Sequence, residues 1–177
     1  MGSKAAGPAG GKLPDRDFLQ LIRTAPLVAV DVVLKDGAGQ VLLVQRNDEP
    51  ARGYFFVPGG RIFKNERIAA AFQRIVMAEL GLSISFQNAV PLGLYQHIYD
   101  TNRFEEEGTG THYVVLAHEV VLPERPALLV DAPYRWAAPQ DIAAMGDAHP
   151  FTKAYFSDDF QHLTAVKAQP LGLTVES

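Results

Sequence analysis

Gly60–Leu82, GRIFKNERIAAAFQRIVMAELGL, is the stretch that decides the fold. Within it Gly60, Glu66, Arg74, Glu79, Gly81 and Leu82 stand at fixed spacings, with five residues between the first pair and seven between Glu66 and Arg74. The apolar positions Ile68, Ala71, Phe72, Ile75, Val76 and Leu80 recur at helical spacing, which predicts a helix with one buried face. Asn65 reads as its N-cap, with Glu66 in the first turn, where the helix dipole favours negative charge. Gly81 suits the helix stop. Just upstream, Pro58-Gly59-Gly60 is expected to end a strand. A glycine-rich loop brings backbone groups close to a ligand, and a helix leaving it can present carboxylates to a hard cation. Glu79, on the last turn, is the candidate cation ligand. Arg74 can orient a carboxylate, and Glu66 can tie the loop to the helix.

Around this stretch, strands are expected at 27–34, 41–46, 54–57, 83–86, 91–99, 111–122 and 134–136. The first two are joined by a glycine turn at Lys35–Gly39 and form a hairpin. Asp15–Arg23 carries Phe18, Leu21 and Ile22 at helical spacing, with Asp15 as a cap, and Pro26 ends it. Pro139–Met145 and Phe151–Phe156 read as short helices, and the EEEG-bearing loop Asp100–Gly110 as exposed. One long helix among many strands is an α+β layered domain rather than a βαβ repeat.

A chain of 177 residues is long enough to bury a real core and has the length of one domain. The expected organisation is a tail over 1–12, a domain over 13–166 and a C-terminal tail over 167–177. A net charge of −4 provides no electrostatic footprint for nucleic acid or an anionic membrane. The absence of cysteine excludes disulfides, zinc–thiolate sites and thiol nucleophiles. No apolar run suffices to span a membrane, and the N-terminus lacks the apolar core of a secretory signal, so a cytoplasmic location is the default expectation.

The spacing resembles the signature of the Nudix hydrolases, Gly-x5-Glu-x7-Arg-Glu-φ-x-Glu-Glu-x-Gly-φ, where φ is aliphatic. Ile75 and Ala78 stand where that pattern has Glu. The resemblance implies an α/β/α sandwich with a mixed central sheet and one long signature helix. In chain order, TAPLVAVDVVL, QRNDEPARGYFFVPGGR, AAFQRIVMAELGL, YQHIYD, THYVVL and YRW resemble the GDP-mannose mannosyl hydrolases. That subfamily lacks the same two carboxylates and directs water at the anomeric carbon of a sugar, releasing GDP. The resemblance implies Mg²⁺ held by the Gly59 carbonyl and Glu79, and a diphosphate held by Arg46 and Arg61. It places Asp31, His97 and Tyr113 around the sugar and leaving group. A nucleotide-sugar substrate and a homodimer are also implied.

One departure bears on catalysis. The subfamily has a Gln-His pair shortly before Tyr-Arg-Trp, Gln completing the metal shell and His acting as general base. Aligned on Tyr134-Arg135-Trp136, those positions hold Val130 and Asp131. Val130 has no ligating side chain. Asp131 can take a proton from water, or reach the metal in place of Gln, or belong to a simple turn; the sequence leaves these three open. Two rival functions follow: a Nudix diphosphatase cutting at phosphorus, and a nucleotide-sugar binding module that does not hydrolyse.

Overall fold

The computed structural model describes residues 10–128, 132–159 and 164–167. Its elements run α1 (Asp15–Thr24), β1 (Leu27–Lys35), β2 (Val41–Gln45), β3 (Phe55–Phe56), β4 (Gly59–Arg61) and α2 (Ile68–Leu80). After a 3₁₀ turn at Phe86–Asn88 come β5 (Val90–Tyr99), β6 (Thr111–Val121), β7 (Tyr134–Ala137), α3 (Pro139–Ala144), α4 (Pro150–Lys153) and β8 (Thr164–Lys167).

The strands form one eight-stranded mixed sheet ordered β3-β2-β1-β6-β5-β8, with β4 pairing β1 and β7 pairing β2. β1 and β6 are parallel along their whole length, Leu27 facing Tyr113 and Lys35 facing Val121. The other strand pairs are antiparallel. β1 is buried on both faces, as its unbroken β-branched run requires. Val30, Val32 and Leu34 face α2, packing with Phe72, Ile75, Val76 and Leu80. Val33, from the opposite face, packs with Val41, Leu43, Phe55 and Ile142 of α3. Helices on both sides of a mixed sheet give the expected α/β/α sandwich.

Local expectations are corrected at several points. α2 begins at Ile68 rather than at Glu66, and its N-cap, Arg67, makes no side-chain cap. Asn65 has φ 64°, a left-handed turn conformation outside the helix. The Glu66 carboxylate accepts from Phe63 N–H at 2.9 Å and from Arg74 at 2.7 and 2.8 Å, so it ties loop to helix instead of capping. Pro14, not Asp15, is the N-cap of α1. Residues 83–86 are not a strand: Ile84 is buried against α2, and Ser85 Oγ accepts from Gln87 N–H at 3.3 Å to start the 3₁₀ turn. β3 ends before Pro58, as expected, but Gly59-Gly60 then open a new strand, β4, beside β1. The 100–110 loop contains a fully buried residue, Asn102, which donates to Glu106 and Thr109 carbonyls and accepts from Phe104 N–H.

Candidate active site

β4 lies so close to β1 that side chains at its glycines would collide with functional groups. A Cβ at Gly59 would stand 2.2 Å from Asp31 Oδ1, and one at Gly60 would press Ile75 at 3.1 Å. Two glycines therefore let the strand pass between the Asp31 carboxylate and the α2 core. Gly81, at φ 69°, ends α2 immediately after Glu79 and Leu80, and so fixes where Glu79 emerges.

Three neighbouring cavities share Arg46 as a wall. One of about 390 Å³ is lined by Gln45, Arg46, Asp48, Gly59, Ala78 and Glu79, among others. A second, about 100 Å³, is bounded by Asp31, Arg46, Gly59, Arg61, His97 and Tyr113. A third, about 300 Å³, adds Lys12, Phe18 and Arg74 to Arg46, Arg61, Glu79 and Tyr113. Asp31, Arg46, Gly59, Arg61, Glu79, His97 and Tyr113, drawn from six elements and loops, thus surround one cleft. Asp131 and Val130 lie outside the described residues; Ala132, next in sequence, lines the largest of the three cavities.

The electrostatics are uneven. Arg46 rests over Phe56, 5.5 Å from the ring centroid, and its Nε is buried with no hydrogen-bond partner. Such a donor carries a desolvation cost until an acceptor arrives. Arg61 lies 4.3 Å over Phe18, and burial and the neighbouring Arg74 lower its pKa, while Tyr113 opposes them. Glu79 opens to solvent but stands among protein that raises its pKa, against the pull of Arg46 and Lys12. Burial pushes Asp31 up to about 6, opposed by the Tyr155 hydroxyl and by Arg46. His97 is lowered to about 3 by burial, His149 and Arg46, so its imidazole is neutral. Burial raises Tyr113, keeping it a phenol.

Several residues here went unread in the sequence. Tyr155 Oη donates to Asp31 Oδ2 at 2.7 Å across 124 residues of chain. Phe151 stacks on His97, with centroids 4.5 Å apart and planes at 1°. His149 stacks on Phe56 at 4.8 Å, and burial, Arg46 and Lys153 lower it to about 4. The only sequence signal for them was the apolar spacing of Phe151–Phe156, which says nothing about what that segment meets.

Among the described residues no three His, Asp or Glu side chains converge as a ready-made cation cage. Two carboxylates, Glu79 and Asp48, and the Gly59 backbone line the same cavity. This donor set suits a hard cation such as Mg²⁺, which keeps several waters and takes its remaining ligands from phosphate.

A glycine-rich strand feeding a Glu-bearing helix over a polar cleft, within a mixed sheet layered by helices, defines a Nudix domain. The family model for the NUDIX domain matches residues 25–160, and the chain belongs to the Nudix family of hydrolases. The low-salt glycan biosynthesis protein Agl8 of Haloferax volcanii is 40% identical over 114 residues, 64% of this chain and 70% of Agl8. The MutT Nudix hydrolase of Burkholderia pseudomallei superposes with a TM-score of 0.59 at 22% identity, over 74% of this chain and 95% of that one. The Nudix domain of Shewanella oneidensis NrtR, solved with ADP ribose, gives 0.57 at 18% identity over 81% and 95%. At these identities the two structures show the fold alone. Among the described residues no helix is long and apolar enough to cross a membrane.

Proposed function

We propose that this protein is a Mg²⁺-dependent hydrolase of nucleotide sugars, resembling GDP-mannose mannosyl hydrolase, that directs water at the anomeric carbon and releases a nucleoside diphosphate. The observation that carries the reading is the position of Arg46. Arg46, whose buried Nε has no partner, lines both the Glu79–Gly59 cavity and the Asp31–His97–Tyr113 cavity. A diphosphate there would place its sugar in the smaller cavity and its metal-bound oxygens against Glu79.

Glu79 and the Gly59 carbonyl would hold Mg²⁺, which when bound supplies charge neutralisation to the diphosphate. The chain's own residues do the rest. Arg46 and Arg61 donate to the diphosphate oxygens as charge gathers on the leaving nucleotide. Asp31 accepts from sugar hydroxyls, while His97 and Tyr113 frame the ring. Asp131 is our candidate base for the attacking water, in the position where the subfamily has His. The glycan-biosynthesis role in the name of Agl8 supports an activated-sugar substrate. By the same resemblance we propose a homodimer.

Hydrolysis at phosphorus is the second reading, favoured by family membership and by the ADP ribose bound to the NrtR domain. A panel of nucleotide sugars assayed with product identification separates the two: GDP and free sugar support the proposal, GMP and sugar phosphate overturn it. Glu79→Gln should lower turnover by about a hundredfold or more without unfolding the protein. Asp131→Ala should lower kcat, and full activity in that variant removes Asp131 from the mechanism. Calorimetric binding of GDP-mannose with no turnover by the wild-type protein would instead identify a binding module.

A further inference from the structure

Tyr155 has a chemical relationship to the cleft that its position outside the cavity walls conceals. Its Oη lies 2.7 Å from Asp31 Oδ2 and 3.5 Å from His97 Nε2. A phenol has one proton, and the carboxylate is the stronger acceptor, so that proton goes to Asp31. The Tyr155 oxygen can then meet His97 only as an acceptor. Nε2 must carry the imidazole hydrogen, and Nδ1 is left with the lone pair.

The surroundings leave little freedom to reverse this order. His97 is fixed face to face on Phe151, and the Tyr155 ring stands edge-on to Tyr95 at 4.6 Å. The Tyr155 hydroxyl is buried, and Asp31 further raises its pKa, so it remains a donor. Asp31 Oδ1 and His97 Nδ1 receive no hydrogen bond among the described residues, and both residues line the 100 Å³ cavity. Two acceptors with no internal donor, beside one small cavity, match a ligand that brings hydroxyl hydrogens.

We propose that Tyr155 is a positioning residue that orders Asp31 and the Nδ1 of His97 as paired hydrogen-bond acceptors for the hydroxyl groups of the sugar. The proposal rests on the nucleotide-sugar reading, and it adds a reason for discrimination. A ligand whose matching groups are ethers or deoxy carbons would bring no donors to these two acceptors, and such a site discriminates against it.

The test is Tyr155→Phe, which keeps the ring and removes only the hydroxyl. Nitrogen-15 NMR of the histidines reads the His97 tautomer directly. The expected result is an Nε2–H imidazole in the wild type and a mixture of tautomers in the variant. KM for GDP-mannose should rise about tenfold, while calorimetric affinity for GDP stays unchanged, which also shows that the variant is folded. An unchanged tautomer together with an unchanged KM overturns the proposal. Equal losses toward GDP and GDP-mannose overturn it too, because they indicate a packing defect. A wild-type protein inert toward GDP-mannose overturns the functional reading. In that case the NMR result alone decides whether Tyr155 orders His97, a shift upholding it and no shift overturning it.

Discussion

At the residue scale the cleft depends on atoms that are missing as much as on those present. Gly59 has room for hydrogen only, because Asp31 Oδ1 occupies the place of its Cβ. Gly59→Ala must displace either the carboxylate or β4, so activity should fall by at least about tenfold, with a stability loss of about 1–3 kcal/mol. Steady-state assay and denaturant unfolding check both, and wild-type values would contradict the packing described here. The two carboxylates missing from the signature differ in kind. Ile75 is 2% exposed in the core beneath Gly60, whereas Ala78 is exposed and lines the cavity that holds Glu79. Ile75→Glu should therefore cost several kcal/mol by burying a charge. Ala78→Glu should leave unfolding within about 0.5 kcal/mol and tighten Mg²⁺ binding. Calorimetry and urea titration of the pair test this, and equal stability in the two variants would refute it.

At the element scale, α4 and the turn after it set Phe151 against His97 and Tyr155 against Asp31, and this burial shapes the response to pH. His97, lowered to about 3, and His149, lowered to about 4, both take up protons in the unfolded chain before the folded one. Below pH 6.5 each therefore withdraws stability as acid is added. Asp31, raised from 3.8 to about 6, acts oppositely: the folded form protonates first, and stability is gained as pH falls from about 6 toward 3.8. Two groups against one give a net loss on acidification from pH 6.5 to 4. The slope of Tm against pH in that window should flatten in His97→Gln, and an unchanged slope would contradict a neutral buried His97.

Elements differ in how far the sequence discloses them. The β-branched run of β1 and the periodic apolar face of α2 follow from local pattern, and both form near their expected limits. The start of α2 is not legible locally, because Asn65 and Glu66 have the composition of a cap yet lie outside the helix. The pull of Arg74 on Glu66, eight residues away, took that carboxylate for tertiary use. The break after β3 is legible in Pro58, whereas the new strand at Gly59-Gly60 is not, because only the closeness of β1 makes it one. Tyr155 could not be read at all, since its partner lies across 124 residues and no local spacing encodes such a contact.

At the scale of the whole molecule, the sandwich brings residues from β1, β4, β5, β6, the end of β2 and the end of α2 to one polar cleft bridged by Arg46. Family membership accounts for a hydrolase, and the metal beside Glu79 belongs to the proposal. Membership does not by itself choose between carbon and phosphorus as the atom attacked. The proposed attack at carbon rests on Arg46 joining the cavity of Glu79 to that of Asp31, His97 and Tyr113. Hydrolysis of GDP-mannose in H₂¹⁸O, with both products examined by mass spectrometry, tests that choice most directly. Attack at carbon puts the label on the anomeric carbon of free mannose and none in GDP; label in GMP or mannose phosphate would rule it out.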